Sequence, residues 1–371
     1  IIDGVVAIGD VVDVEVSGEI TYSGETSVEM VENTFSVSSE ENGDVTKYYV
    51  PTFLPGILKI TPNSNLITIE SISGESWIYD GQEHTAEKYF VTYAGEEVIS
   101  DDSGKVFTLP TGDKITITNV SSVRNVEDSV ENNNLFEYVI ENEIQYTSID
   151  VTFGTMRIEK REVTLESATA SKVYDGEALE NDEVTVSGDG FVEGEGATFD
   201  VTGSQIEVGT SKNTFSYELK SGTKASNYEI TKVEGTLEVT VLEDKVTVTI
   251  TENSGEAKYD GEKHAVEGYK VEISNPLYKE TDFSFNGTAK VEGTDAGTYE
   301  MNLSEEDFTN INTNFANVEF VIVDGTLEIA KRNVILTSAT ASKIYDGEAL
   351  ENDEVTVSGD GFVEGEGATF D

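Results

Sequence analysis

Apolar and polar residues alternate along most of this chain with a period of two. Val184 and Val186 share one face of the run 183–187, and Val246, Val248 and Ile250 alternate with threonines. Such alternation places every second side chain on one face of an extended strand. The runs 320–323 and 326–329 flank Asp324-Gly325, which predicts a hairpin turn, and Glu234-Gly235 is its equivalent upstream. No stretch keeps a 3.6-residue apolar period over a dozen residues, so helix is limited to one or two turns at 304–308 and 126–131. Glycines number 33 and prolines only 5, which suits turn-rich strands. The expected fold class is all-β with at most short helical turns: tandem small modules, β-sandwich or β-grasp-like, arranged as an elongated rod.

Laid on itself, the chain repeats. Residues 161–200 and 332–371 are identical at thirty-six of forty positions, at an offset of 171. That period is too long for one solenoid repeat, so smaller modules lie inside it. The tripeptide Tyr-Asp-Gly occurs four times: Tyr79-Asp80-Gly81, Tyr174-Asp175-Gly176, Tyr259-Asp260-Gly261 and Tyr345-Asp346-Gly347. A glycine followed by alternating apolar residues closes each module, at 56–60, 154–158, 235–239 and 325–329. The predicted layout is the C-terminal half of a β module at 1–61, β modules of Tyr-Asp-Gly type at 62–160, 161–242 and 243–331, and the N-terminal half of another at 332–371. Two flavours alternate; 62–160 and 243–331 share a histidine, His84 and His264, five residues after the tyrosine. The two half-modules lead to the expectation that the natural polypeptide extends past both ends, or that copies of the chain complete each other in a fibre. The tripeptide itself reads as a structural turn. Its glycine supplies positive φ, its aspartate bonds nearby backbone, and its tyrosine ring caps the core.

Charge narrows the partners. With 23 basic against 73 acidic residues the net charge is −50, which repels nucleic acids and anionic membranes. No cysteine is present, which excludes disulfides and thiolate sites. No apolar run approaches the ~18 residues needed to insert in a bilayer. Catalytic candidates are absent: the two histidines have no nucleophile pattern or metal partners, and no hydrolase, zinc-protease or phosphate-loop signature occurs. The chain is therefore not expected to be an enzyme or to carry a cofactor. One exception is kept open. The segment 187–196 recurs at 358–367, and Asp189, Glu193, Glu195, Asp360, Glu364 and Glu366 offer hard oxygen donors of the kind Ca²⁺ takes. A solvated loop is the competing reading, since the EF-hand ladder is missing. Lys172 and Lys343, with Asn227 in a late strand, are candidates for a Lys–Asn isopeptide bond, against the plainer reading of surface lysines. Trp77, the only tryptophan, is not repeated in the other modules, which argues against a glycan-stacking platform.

Several stretches together point to a family. Ala170-Ser171-Lys172-Val173-Tyr174-Asp175-Gly176, Gly190-Phe191-Val192-Glu193-Gly194, Ser226-Asn227-Tyr228-Glu229-Ile230 and Glu234-Gly235-Thr236-Leu237-Glu238-Val239 resemble the YDG/MBG-type tandem repeats of bacterial cell-surface proteins. Ala296-Gly297-Thr298-Tyr299, Asn314-Phe315 and Asp324-Gly325-Thr326-Leu327-Glu328-Ile329 are similar in the next module. The resemblance covers 161–371 well, departs in the middle of 62–160, and is loose over 1–61. It implies an extracellular location at a bacterial surface or wall. It also implies a non-enzymatic structural segment of a secreted or surface protein, a stalk or a filament building block. Expected partners are adjacent modules of the same polypeptide and copies of the chain. The alternative it implies is a mucin- or glycan-binding adhesin module, for which no binding residue carries over.

Overall fold

The computed structural model describes residues 6–15, 18–23, 34–54 and 56–370. Among them the chain is all-β, with short strands in many small sheets, single 3-10 turns and no α-helix. Among the described residues no helix is long and apolar enough to cross a membrane. The chain divides into two compact units: Ile1–Thr164, Val186–Thr198 and Glu218–Thr231 form one, and Leu165–Thr185, Phe199–Tyr217 and Lys232–Asp371 the other.

In the first unit the strand Ile67–Ser71 is the hub. It pairs antiparallel with Tyr89–Tyr93 and parallel with Ile149–Thr152. A second sheet orders Glu137–Ile140, Lys114–Thr118 and Val106–Thr108, all antiparallel. The alternation Ile67, Ile69 and Ile115, Ile117 points inward, and these side chains meet Val91, Phe107, Leu109 and Phe136 in one core. Further upstream, Asp10–Glu15 pairs antiparallel with Thr34–Ser39, and the Tyr49 hydroxyl donates to the Asp10 carboxylate at 2.6 Å.

In the second unit Val246–Glu252 plays the same part, antiparallel to Tyr269–Ile273 and parallel to Val318–Val323. A second sheet sets Thr326–Ala330 between Gly255–Lys258 and Gly297–Glu300. Val246, Val248 and Ile250 are wholly buried, and Phe283, Phe308, Phe320, Leu327 and Ile329 close over them, so both sheets share one core. Each such aliphatic side chain contributes about 1.5–3 kcal/mol relative to exposure.

The predicted hairpin at Asp324-Gly325 does not form. Val318–Val323 and Thr326–Ala330 belong to different sheets, and the chain crosses between them at this dipeptide. The glycine is required for closeness and not for a left-handed turn, since it is not among the residues of positive φ. A Cβ at Gly325 would sit 2.5 Å from the Asn253 carbonyl oxygen and 2.7 Å from that of Glu252. Gly154 and Gly235 make the same approach to the Ile72 and Ser167 carbonyls. At each crossing a buried polar side chain receives the glycine N–H: Ser71 Oγ for Gly154, Ser167 Oγ for Gly235 and Glu252 Oε2 for Gly325.

Three smaller expectations also change. The helical candidates shrink to single 3-10 turns, Val126–Asp128 and Glu305–Asp307, each held by an aspartate that reaches back to the preceding backbone N–H. Asn227 lies in the 3-10 turn Ala225–Asn227, just before the strand Tyr228–Val233 and not within it. The closing segment 56–60 forms no strand, whereas Met156–Glu159, Thr236–Thr240 and Thr326–Ala330 each do, against a parallel partner.

Candidate functional site

The four Tyr-Asp-Gly elements share one local geometry. Gly81, Gly176, Gly261 and Gly347 have φ of 77°, 81°, 78° and 88°, left-handed values that favour glycine. In each, the aspartate Oδ1 accepts the backbone N–H two residues on, from Gln82, Glu177, Glu262 and Glu348 at 2.9–3.0 Å. A cationic or imidazole group then braces the same oxygen. In 62–160 and 243–331 it is the histidine: His84 Nε2 lies 3.0 Å from Asp80 and His264 Nε2 2.9 Å from Asp260. In the other flavour it is a lysine three residues before: Lys172 on Asp175 at 2.6 Å and Lys343 on Asp346 at 3.0 Å. The Lys172 and Glu177 contacts hold the Asp175 carboxyl below its ordinary range. The Glu262 amide, followed by His264, does the same for Asp260.

Tyr79, Tyr174 and Tyr259 reach outward from these turns onto the segment that follows. In the first unit the Tyr79 hydroxyl donates to Glu195 Oε1 at 2.6 Å, and the Tyr228 hydroxyl donates to Glu195 Oε2 at 2.6 Å. The two rings meet edge to face, 5.5 Å apart. Val192 covers Gly81 so closely that a Cβ there would lie 2.9 Å from its Cγ1. Arg161 clamps the loop: Nε donates to the Gly190 carbonyl, Nη2 to that of Asp189, and Nη1 to that of Tyr79. Asn227, fully buried, accepts the Val126 N–H at 3.0 Å and donates to Asn125.

The second unit repeats this docking twice. The Tyr174 ring meets Phe315 edge to face at 5.5 Å, and Leu277 covers Gly176. Asn314 stands where Asn227 stands above, accepting the Val208 N–H at 2.8 Å and donating to Glu207. Further along, the Tyr259 hydroxyl donates to Glu366, Val363 covers Gly261, and Arg332 donates to the carbonyls of Gly361, Asp360 and Tyr259. Upstream, Gln145 takes the asparagine's place and accepts the Ser23 N–H at 2.6 Å. The junctions at Tyr79 and Tyr174 thus combine an aromatic ring, a turn glycine under an apolar side chain, and an amide that reads the preceding backbone.

The segment around Leu277 and Phe315 also decides a relationship. Residues 245–331 match the family model of the MBG domain. This segment is an MBG-type repeat. No curated protein matches the chain. Among solved structures, the chain is similar to the crystal structure of Down Syndrome Cell Adhesion Molecule isoform 1.30.30, N-terminal eight Ig domains. Identity is 12% and the TM-score 0.17, over 88% of this chain and 51% of that one, so the chain spans about half that structure's length.

Within the MBG repeat, and in the segments flanking it, the candidate residues fall into three groups. The proposed Ca²⁺ donors belong to the junctions. Glu195 and Glu366 accept tyrosine hydroxyls, and Asp360 accepts Lys258 and the Asn333 N–H. The Asp189, Gly190, Asp360 and Gly361 carbonyls are taken by Arg161 and Arg332. Glu193 and Glu364 are exposed. Among the described residues no group of three or more His, Asp or Glu is placed to hold a metal ion. The isopeptide candidates are engaged elsewhere: Lys172 and Lys343 brace their aspartates, and Asn227 spans a junction. Trp77 stacks on His84 with ring centroids 4.9 Å apart. The arginine clamp escaped the sequence reading. Its signal was scarcity: the chain has four arginines, and two of them, Arg161 and Arg332, open the duplicated stretch.

The tyrosines give the chain an alkaline limit. Burial raises Tyr79, and Glu195 beside it adds to the shift. Burial pushes Tyr146 up to about 12, with the Asp113 carboxylate as its acceptor, and burial also brings Tyr89 and Tyr278 to about 12. A phenol whose folded pKa is raised favours the neutral form. Its stabilisation is complete below the unfolded value near 10 and is lost as pH climbs from there through about 12. A spectrophotometric titration should therefore show exposed tyrosines ionising first and these ionising together with unfolding. A single smooth transition at the free-phenol pKa, with the fold intact, would contradict the assignment.

Proposed function

We propose that this chain is a non-enzymatic structural segment of a secreted or cell-surface bacterial protein, acting as a stalk or as a building block of an extracellular filament. In this reading the modules are those laid out from the sequence, at 62–160, 161–242 and 243–331, with further module sequence at 1–61 and 332–371. The observation that carries it is the recurring junction. Tyr79, Tyr174 and Tyr259 each lodge on the next segment, and Asn227 and Asn314 each take a backbone N–H from the previous one. Groups that elsewhere serve a ligand are spent here on holding neighbours in place. Short connections at 159–161 and 330–332 leave little slack between them. The strongly acidic surface keeps neighbouring chains apart at low ionic strength.

Small-angle scattering of the whole chain tests the stalk. A single compact globule of this length has a radius of gyration of about 21 Å. The proposal requires a clearly larger value that changes little between low and high salt. A value near the globular one sinks it. A glycan array probed with the same chain should stay blank; reproducible binding to mucin-type glycans favours the adhesin reading instead.

A further inference from the structure

Parallel pairing of first and last strands decides how these segments answer a pull. In the MBG repeat Val246–Glu252 runs parallel to Val318–Val323 over six residue pairs, Val246↔Val318 to Thr251↔Val323. Just beyond, Gly255–Lys258 runs parallel to Thr326–Ala330 over four. The first strand of each pair opens the segment and the second closes it. Because they point the same way, the chain enters at one end of the ladder and leaves at the other. Tension on the two ends then slides the strands lengthwise past each other. The evenly spaced bonds of a parallel ladder carry that load together, and none is released until all shift. An antiparallel pair pulled at its adjacent ends opens one bond at a time.

Two further features strengthen the ladder. Its inward side chains Val246, Val248 and Ile250 are wholly buried, so water has poor access to strained bonds on that face. The crossing between its two halves is tied by Glu252, which accepts the Gly325 N–H and the Leu303 N–H at 2.7 Å each. The same topology recurs. Ile67–Ser71 and Glu75–Ile78 run parallel to Ile149–Thr152 and Met156–Glu159, over four pairs each. Ala170–Val173 runs parallel to Thr236–Thr240.

We propose that these terminal ladders are shear clamps, and that the segments are load-bearing links as well as spacers. The ladder of the MBG repeat runs over six residue pairs against four for Ile67–Ser71, so it is the stronger link of those two. The inference builds on the stalk reading for its purpose. Its test does not: shear strength is a property of the fold, and scattering decides the stalk separately.

The experiment is single-molecule force extension of the full 371-residue chain, pulled from its two ends. The chain has no cysteine, so thiol handles attach only where introduced. Discrete rupture events are expected. The event that belongs to the MBG repeat should release somewhat under about 300 Å, the extended length of residues 245–331 at 3.3–3.6 Å each less the folded span. Handles at Thr247→Cys and Ser274→Cys pull on adjacent ends of the antiparallel pair Val246–Glu252 and Tyr269–Ile273, and should open the repeat at a several-fold lower force. Val321→Pro removes an amide from the parallel ladder and should lower the end-to-end rupture force of that one event. Val291→Ala, which thins the core away from the ladder, should lower thermal stability and leave that force nearly unchanged. Smooth extension without discrete ruptures overturns the proposal. So do equal forces in the two pulling geometries, which need no destabilised variant, or equal force losses in the two variants.

Discussion

Replacing Gly325 by alanine should unfold the MBG repeat well below the melting temperature of the parent chain. The added Cβ would stand 2.5 Å from the Asn253 carbonyl oxygen and 2.7 Å from that of Glu252. Both are backbone atoms of the facing strand and its turn, so neither can swing aside as a side chain would. Relief requires the crossing to move outward. That motion also stretches the bond from the Gly325 N–H to the buried Glu252 carboxylate and opens the core at Leu327. Overpacking of a rigid site costs about 1–3 kcal/mol, and a buried charged hydrogen bond adds about 1.5–3 kcal/mol. A total of more than about 3 kcal/mol corresponds to a fall on the order of 15 °C in a unit of this size. Calorimetry of the whole chain should show one transition moving while the others hold. Gly235→Ala and Gly154→Ala should do the same to their own segments. If all three are tolerated within about 1 kcal/mol, closeness is not what these glycines provide.

The second large effect is expected at the junction, from Glu195→Leu. Leucine keeps much of the side-chain volume and removes both acceptors, which leaves the Tyr79 and Tyr228 hydroxyl protons without their carboxylate in a mostly apolar setting, although Tyr228 still accepts the Val192 N–H. Each hydrogen bond to a charged carboxylate is worth about 1.5–3 kcal/mol. Glu195 is half-exposed, so the pair together is set at about 2–4 kcal/mol. That energy belongs to the docking and not to the cores on either side. Hydrogen exchange should speed up by about thirtyfold or more at 79–82, 124–128 and 189–196. Strands such as Ile67–Ser71 should exchange as before. Tyr79→Phe should show roughly half the effect, since Tyr228 keeps its bond. Slow exchange at the junction in Glu195→Leu would mean that Val192 and Arg161 hold it alone.

The fold class was legible because period-two alternation has one physical meaning. Val246, Val248 and Ile250 went inward and their threonine neighbours stayed half-buried, as the pattern required. Pairing was not legible. Asp324-Gly325 has the composition of a hairpin turn, yet composition reports local backbone freedom, and here the glycine answers to a carbonyl some seventy residues upstream. The junction was half legible. Repetition marks Tyr-Asp-Gly and the loop at 187–196, but nothing in the sequence says that the two meet. A carboxylate-rich loop looks the same in sequence whether it faces calcium or a tyrosine hydroxyl.

By itself, then, the sequence determined what is local or periodic: strands, turns of positive φ, duplication at 171 residues, and the acidic surface. Only the tertiary structure decided what each element touches. Two runs with the same alternation show the difference. Val246 and Val248 are wholly buried, whereas Val186 is 40% exposed. The local pattern is the same in both. Burial is set by the side chains that pack against a strand from elsewhere, and no residue carries that information in its own neighbourhood.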